Sequence, residues 1–436
     1  MFKIITFYKY IFQSFLFIII LYMKIGILPN KLQYIINNNK SKFSVNILLL
    51  VKIGSIHEIK GKYGLAHYFE HMLFKGTKKF PKSKLITDEI YKYGGKTNAF
   101  TSYDCTGYYI TINSKYTEKA ISILADIFFN SIFIDYQKEK NVVISENKTR
   151  NTNPQFLCLS KFENMIYKNT PYNHNVIGIN SNIKKFTKKD IKDFYNKYYI
   201  PSNCVLSITG RTNKNVEKLI KKYFNINSIN GKKINNITYK PVINFIDLQK
   251  KERNKIIKQK LSQAHVYLGF PCYNDQNIFK KYVLYVISLI LGGNMSSKLF
   301  IKLREKHGLV YTISSTLDLS FDVGVFLIYF GTFNSKVNKV TKLILEELEK
   351  IKKNGFTKEE LNKGINYILL ASEMNSENNI SVNIDYAYQL MYFNKINTLK
   401  HDEIMYKKIT NKDIIEVANE IFNINKLNKC IIGNVN

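Results

Sequence analysis

The stretch FTKKDIKDFYNKYYIPSNCVLSITG, residues 186–210, aligns without a gap to a second stretch, ITNKDIIEVANEIFNINKLNKCIIG, residues 409–433. Each copy has the pattern of a threonine N-cap, a helix, a short loop and a closing apolar strand. The copies end two parts of similar length, so the sequence predicts a duplication with halves at residues 24–228 and 259–436. The recurring residues are Thr187, Lys189, Asp190, Ile191, Asn196, Ile208 and Gly210, matched by Thr410, Lys412, Asp413, Ile414, Asn419, Ile431 and Gly433.

Strand patterns alternate with helical patterns within each half. The first half contains the strand patterns SVNILLLVKIGS and TGYYITINS and the helical pattern TEKAISILADIFFN. The second half contains QAHVYLGFP, VGVFLIYFGT and the helical KVNKVTKLILEELEKI. This order predicts the α+β fold class, with two homologous domains that are each an antiparallel sheet covered by helices. The polar, lysine-rich residues 229–258 are predicted to be a linker.

The size and charge of the chain restrict its class. It has 436 residues, more than one hydrophobic core usually supports, which agrees with two domains. Its formal charge of +32 is compatible with nucleic acid, an acidic membrane surface or anionic peptides as partners. The lysines are spread along the chain and form no basic arm with interleaved aromatic residues. We therefore interpret the charge as compositional bias and expect no nucleic-acid partner.

The N-terminal residues 1–23 carry lysines and then an apolar run from Ile11 to Met23. This run is short for a membrane span, and no small-residue cleavage signal follows it. It fits an uncleaved anchor, a poor signal peptide or an upstream extension with Met23 as the true start. The chain would be cytoplasmic in the last case and membrane-associated or exported in the others. Membrane contact is expected only if these residues are retained as an anchor.

The stretch GLAHYFEHMLFKGT, residues 64–77, holds His67, Glu70 and His71 within five positions. Residues four apart share a face of a helix, so both imidazoles can reach one zinc ion at about 2.0–2.1 Å. Glu70 lies where a general base must be to take a proton from water activated by zinc. The alternative is two surface histidines beside a charge, but the apolar neighbours would bury this face, where polar groups need partners. Those neighbours are Leu65, Ala66, Phe69, Met72 and Leu73.

A third zinc ligand has to come from another part of the chain, because catalytic zinc usually has three protein ligands. The five cysteines are scattered and include no CxxC pair, which argues against a thiolate site and a disulfide framework. The stretch QKEKNVVISENKTRN, residues 137–151, offers Glu139 and Glu146, two helical turns apart. One can bind zinc while the other orients it or moves protons. Taken alone, such a glutamate pair is also typical of a solvated helix face.

These motifs, in this order and spacing, resemble the M16 metallopeptidases, a family that includes insulysin, pitrilysin and the mitochondrial processing peptidase. The resemblance covers nearly all of the sequence from about residue 25 onward. Within the family, the sequence is most similar to the branch that contains the processing-peptidase β-subunit and short bacterial members. It implies the two-domain α+β fold of that family. Besides the zinc helix, it is carried by the blocks GILPNKLQYII, YGGKTNAFTSYDCTGYY, NTPYNHNVIG and LGGNMSSKLFIKLREKHGLVYTISS.

The resemblance implies roles for the polar residues already identified. His67, His71 and Glu146 would bind one zinc ion per chain. Glu70 would be the catalytic base, and Glu139 would support the site from outside the coordination sphere. The second half has no HxxEH motif, so it is expected to be an inactive copy.

The resemblance also assigns residues that contact substrate. Asn98, Ala99 and Phe100 fall on an edge strand that would pair with an extended peptide. Arg304 and Tyr311 match a second-domain pair that reaches the substrate and the oxyanion, a role that suits a guanidinium and a phenol. Without the resemblance, these two residues are as typical of a surface arginine and a core tyrosine.

The expected function is therefore that of a zinc-dependent endopeptidase that cleaves extended peptides or presequences inside a chamber. The resemblance implies a dimer, either of identical chains or with a second M16-like chain. The alternative is a non-catalytic M16-like scaffold or partner subunit, which would hold no zinc. The complete set of metal residues favours the enzyme.

Overall fold

The structure is a computed structural model that describes residues 23–226, 242 and 244–435. The predicted apolar segment, residues 1–23, lies outside the described residues except for Met23, and much of the predicted linker lies outside them as well. Within the described part of the chain, no helix is long and apolar enough to cross a membrane.

The described residues form two compact units, one drawn from residues 23–143, 176–226 and 375–396 and the other from the remaining described segments. The strands are β1 Met23–Ile27, β2 Gln33–Asn38, β3 Ser44–Val51, β4 Lys96–Thr101, β5 Thr106–Asn113, β6 Cys204–Gly210, β7 Arg253–Lys258, β8 Gln263–Cys272, β9 Val310–Leu319, β10 Gly324–Phe333 and β11 Asn428–Gly433. The helices are α1 Leu65–Leu73, α2 Ser83–Tyr91, α3 Thr117–Asn130, α4 Tyr136–Thr152, α5 Pro154–Ile166, α6 Asn180–Ile183, α7 Lys188–Tyr198, α8 Val216–Phe224, α9 Ile278–Gly292, α10 Val337–Asn354, α11 Lys358–Asn375, α12 Asn379–Phe393, α13 Leu399–Lys407 and α14 Asn411–Ile421.

Each unit is built on one sheet, and the two sheets share a five-strand topology to which the first sheet adds β1 at its edge. The strand order is β1-β2-β6-β3-β5-β4 in the first unit and β7-β11-β8-β10-β9 in the second. The closing strand of the repeat runs parallel to a strand from the start of its half in both sheets, β6 to β2 in the first and β11 to β7 in the second. The other neighbours are antiparallel. The predicted α+β fold with two helix-covered sheets is confirmed, with one parallel pair in each sheet that the alternation of apolar residues does not reveal.

The repeat that predicted the duplication begins with the same capping structure in both copies. The Asp190 amide donates to the Thr187 hydroxyl at 3.2 Å, and the Asp190 carboxylate accepts the Thr187 amide at 2.8 Å. Thr410 and Asp413 form the same box at 3.3 and 2.8 Å. Both predicted N-caps are therefore confirmed, because each box satisfies amides that the first turn leaves open.

The compact units differ from two contiguous halves of the chain. Helix α5 packs on β8 and β11 of the second sheet, whereas α12, far along the second half, packs on β3 and β6 of the first. Residues 253–258, at the end of the predicted linker, form the edge strand β7. Its lysines and asparagine suit an edge, where charged residues are tolerated. The bounds predicted for the two duplicated halves, residues 24–228 and 259–436, remain a prediction.

A buried polar network fixes α12 on the first sheet. The Asn383 amide nitrogen donates to the Asn46 side chain at 2.6 Å and to the Ser207 carbonyl at 2.9 Å. The Asn383 amide oxygen accepts from the hydroxyls of Ser207 and Thr209. Asn46, Ser207 and Asn383 have no exposed surface. Because each polar atom would otherwise lose water without compensation, this network selects one position for α12.

We expect Asn383→Leu, which keeps the size of the side chain, to destabilise the protein by about 2–4 kcal/mol, since it leaves buried partners unsatisfied. The change would be measured as a lower midpoint of urea unfolding followed by circular dichroism. Asn375→Leu, at an exposed position at the end of α11, is the control. Equal midpoints for the two variants would contradict a stabilising role for the network.

Candidate metal centre

Helix α1, which carries the two predicted histidine ligands, begins at a tight backbone crossing. Its N-cap, Gly64, has φ 99°, and a Cβ there would lie 2.7 Å from the carbonyl oxygen of Ile177. The Glu58 carboxylate accepts the amide of Gly64 at 2.8 Å and that of Ala66 at 2.7 Å. A carboxylate at this end satisfies open amides and complements the helix dipole. These contacts fix the first turn of α1 and so the direction of its side chains.

The predicted helix across the histidine cluster is present, and its apolar residues are buried as expected. The rings of His67 and His71 meet edge to face, with centroids 4.9 Å apart. His67 is 8% exposed, whereas His71 is partly exposed. On the core side, Phe69 makes tilted ring contacts with Phe194 and Tyr199. The aromatic core therefore holds one side of α1 while the imidazoles face the opposite side.

Glu139, on the first turn of α4, is held by two side chains that belong to α1 and its C-terminal extension. His71 Nδ1 lies 2.8 Å from one carboxylate oxygen, and Lys75 Nζ lies 2.5 Å from the other. Burial raises the pKa of Glu139, but the hydrogen bonds and charges of His71 and Lys75 outweigh it and hold the pKa below its usual value. This stabilisation is present at neutral pH and is lost as the pH falls through that lowered pKa. Because this contact uses Nδ1, Nε2 is the nitrogen of His71 that would bind a metal.

Glu146 follows on the same helix, and the structure places it beside the imidazole pair. The ligand atoms of His67, His71 and Glu146 all lie within 4.8 Å of one another. Because α4 is continuous, Glu146 is displaced by about 10.5 Å along the helix axis from Glu139 and stays near the same face. Its carboxylate also lies 3.1 Å from the guanidinium of Arg150, one turn further. The two glutamates thus have different positions, one behind His71 and one among the donors.

This donor set fits zinc. Two imidazoles and one carboxylate with an open fourth position are the usual donors of a catalytic zinc site. Tetrahedral bonds of about 2.0–2.1 Å separate neighbouring ligand atoms by about 3.4 Å, so donors within 4.8 Å of one another need to approach by at most about 1.4 Å. His67, His71 and Glu146 would hold the ion, and Glu139 would fix the orientation of His71.

Glu70 lies next to His71 in sequence but is not among these donors. One of its oxygens accepts the hydroxyl of Thr101, the last residue of β4, at 2.6 Å. Nearby, the buried phenols of Tyr108 and Tyr199 hydrogen-bond at 2.6 Å. Burial and then the neighbouring groups, Glu70 included, raise the pKa of Tyr108 well above its usual value. The pKa of Tyr199 is raised in the same way, chiefly by burial, so both phenols stay neutral at physiological pH.

The residues predicted to pair with a peptide lie on β4, which is an edge strand of its sheet. Asn98, Ala99 and Phe100 are opposite Tyr109, Tyr108 and Gly107 of β5. The Ala99 amide donates to the Asn98 side chain at 2.9 Å, so it points away from β5 toward the open edge. An extended peptide could replace Asn98 at this amide. The predicted edge position is confirmed, and binding of a peptide there remains a prediction.

Arg304 and Tyr311 lie in the second unit. Arg304 is exposed on a π-helical turn, Phe300–Lys306, with its guanidinium 5.1 Å from the ring centre of Phe300. Tyr311 is 46% exposed on the edge strand β9, so it is not a core tyrosine. π-Helical turns occur often at functional sites. Their predicted contact with substrate is not tested by these local surroundings.

Three residues of the site were missed by reasoning from the sequence. Lys75 was the easiest of the three to predict, since it lies four positions after His71 and continues the same helix face. Glu58 caps α1 from six residues before Gly64, a spacing that no local capping pattern includes. Thr101 belongs to the quoted block YGGKTNAFTSYDCTGYY, but only the fold brings it to Glu70.

Two family models and several named relatives match this sequence. The family model described as Insulinase (Peptidase family M16) matches residues 33–179, and that described as Peptidase M16 inactive domain matches residues 185–368. Rickettsia bellii has a relative named an uncharacterized zinc protease that is 32% identical over 91% of this chain and 94% of its own. The zinc protease PqqE of Helicobacter pylori is 31% identical over 87% and 85% of the two chains.

Solved structures show the same architecture. The crystal structure of a protease from Helicobacter pylori has a TM-score of 0.88 and 27% identity, and covers 94% of this chain and 99% of its own. A Pseudomonas fluorescens structure titled as a peptidase M16 inactive domain has a TM-score of 0.86 with 18% identity over 95% and 98%, which supports the fold alone.

We expect Glu139→Gln to weaken zinc binding about 10- to 100-fold, because a neutral amide holds His71 less firmly than the carboxylate does. Competition with a chromophoric chelator would measure the dissociation constant. Glu118→Gln, at an exposed ion pair with Lys222, should leave zinc affinity unchanged. Wild-type affinity in the Glu139 variant would show that the contact with His71 does not support the metal site.

Proposed function

Because this chain belongs to the insulinase family, peptidase family M16, we propose that it is a zinc-dependent endopeptidase that cleaves extended peptides. The observation that carries the proposal is the convergence of His67, His71 and Glu146, with donor atoms within 4.8 Å of one another. Glu70, one residue before His71, supplies a carboxylate that is not in this donor set. The family relatives named zinc proteases support the same chemistry.

The proposed mechanism assigns each side chain a task. Zinc, when bound, supplies a Lewis acid that polarises the scissile carbonyl and acidifies the attacking water. Glu70 takes a proton from that water and returns one to the leaving amine. His71 keeps its orientation because Glu139 holds Nδ1, and this arrangement avoids reorganisation during the reaction.

The peptide is proposed to add to β4 as a further strand. Its backbone would exchange hydrogen bonds with the open edge at Ala99, whose amide donates to Asn98 in this structure. Main-chain pairing recognises extended conformation more than side-chain identity, so unstructured peptides or presequences are the proposed substrates. Arg304 and Tyr311 are proposed to contact the substrate and its oxyanion, by resemblance to the family. A chamber, one zinc per chain and a second M16-like chain, identical or different, also remain proposals.

We expect Glu70→Gln to retain zinc and to lower kcat by about 10³-fold or more, because it removes the proton acceptor but no ligand. The test incubates purified protein with unstructured peptides, with and without chelator, and identifies the products by mass spectrometry. Metal analysis of the same samples reports zinc. Glu89→Gln, on α2, is the matched control and should cleave at the wild-type rate.

Two outcomes of that experiment would contradict the proposal. Turnover by the Glu70 variant would remove Glu70 from its role as base. A wild-type protein without zinc and without cleavage would instead favour the non-catalytic scaffold.

We expect Tyr311→Phe to lower kcat about 10²-fold with little effect on KM, if its hydroxyl stabilises charge that develops only in the transition state. Steady-state kinetics on a fluorogenic peptide would measure both constants. Tyr367→Phe removes the hydroxyl of another half-exposed tyrosine of the same unit and is the control. An unchanged kcat would exclude Tyr311 from the reaction.

A further inference from the structure

We propose that Thr101 is a positioning residue that sets the orientation of the Glu70 carboxylate relative to a peptide bound on β4. The inference deepens the proposed peptidase function and rests on it. It is carried by the hydrogen bond of 2.6 Å from the Thr101 hydroxyl to Oε2 of Glu70, together with the position of Thr101 on the edge strand.

The backbone of Thr101 faces the open edge of the sheet. Ser102 donates to the carbonyl of Cys105 at 2.8 Å, so these two residues form a hydrogen-bonded pair at the turn of the hairpin. Hydrogen-bonded and non-hydrogen-bonded pairs alternate in an antiparallel ladder, which makes Thr101 opposite Thr106 a non-hydrogen-bonded pair. The Ala99 amide, two residues earlier, donates to the Asn98 side chain and not to β5, which independently supports this alternation of pairs. Thr101 and Ala99 therefore present their backbone polar groups to the same edge.

The side chain of Thr101 points to α1 from this edge. Successive residues of a strand alternate between the faces of the sheet, so Thr97, Ala99 and Thr101 share one face. On that face the Thr101 hydroxyl reaches the catalytic base proposed for this enzyme, and α1 packs against β4. One residue thus contacts the base through its side chain and is exposed to a paired peptide through its backbone.

This arrangement restricts the orientation of the Glu70 carboxylate. The hydroxyl of Thr101, donated to Oε2, opposes rotation of the carboxylate about its bond to the side chain. Hydrogen bonds to a charged acceptor are short and strong, as the distance of 2.6 Å indicates. Because Thr101 belongs to the strand that would align the peptide, it sets the position of the base relative to the scissile bond. Such alignment contributes to the reaction rate rather than to binding of the peptide.

The test compares Thr101→Val, which keeps the shape of the side chain without its hydroxyl, with wild type on an unstructured fluorogenic peptide. We expect kcat to fall about 10- to 100-fold, in line with loss of a hydrogen bond to a charged group, with KM within about twofold. Thr101→Ser should recover most of the rate because it restores the hydroxyl. Zinc content and the thermal midpoint should match wild type in both variants.

Thr97→Val is the matched control, since its hydroxyl donates to the Tyr109 carbonyl at 2.9 Å on the same strand and not to Glu70. Crystal structures of the zinc-free proteins give a readout that is independent of activity. The Glu70 carboxylate should keep its orientation in wild type and Thr97→Val and turn or spread over several positions in Thr101→Val.

The outcomes separate the two proposals. If wild type cleaves peptides and Thr101→Val cleaves them equally fast, or if only KM changes, the positioning role is overturned and the peptidase function stands. If wild type cleaves no peptide, the peptidase function fails, and an unmoved Glu70 in the Thr101→Val crystal would overturn the positioning role as well. An equal loss of rate in Thr97→Val would show a general effect on the strand and would also overturn it.

Discussion

The Glu139 carboxylate accepts hydrogen bonds from two side chains that extend from α1, His71 at 2.8 Å and Lys75 at 2.5 Å, while it is itself 4% exposed. A buried charge of this kind is tolerated only because both of its oxygens have charged or polar partners. The contact therefore fixes α4 against α1 in register as well as in distance. Once Glu139 is placed, the continuity of the helix brings Glu146 to the imidazole pair two turns later.

The rest of the candidate centre is assembled around α1 from elements that contact it in different ways. Glu58 holds its first turn through backbone amides, the aromatic core holds its apolar side, and Thr101 reaches its polar side from the sheet edge. Each contact restricts a different degree of freedom of the helix. The outcome is a rigid support in which the proposed ligands and base need little rearrangement before reaction, and preorganisation of this kind lowers the barrier of the chemical step.

Features of this protein that depend on short spacing could be predicted from the sequence. The caps at Thr187 and Thr410 and the helix across His67 and His71 are local, and their residues decide them within a few positions. The distinct surroundings of Glu139 and Glu146 could not be derived from spacing alone, because a helix places both on one face. Only the tertiary contact of Glu139 with His71 distinguishes them. The positions of α5 and α12 on the two sheets could not be predicted for a similar reason, since the sequence of an amphipathic helix does not specify which sheet it covers.

The placement of α12 has a consequence for the order in which the protein can be completed during synthesis. The first sheet has all its strands once residue 210 has been made, yet the side-chain oxygen of Asn46 and the hydroxyl of Ser207 pair with Asn383, far along the chain. Until the ribosome has produced α12, the face of the sheet that this helix covers stays open, with apolar side chains and these polar atoms available for unwanted association. The contact between α12 and the first sheet also joins residues that are far apart in sequence, and contacts of this kind slow folding. The first sheet of a nascent chain therefore waits for its covering helix from residue 210 until α12 is made, long after the helix with His67 and His71 has been synthesised.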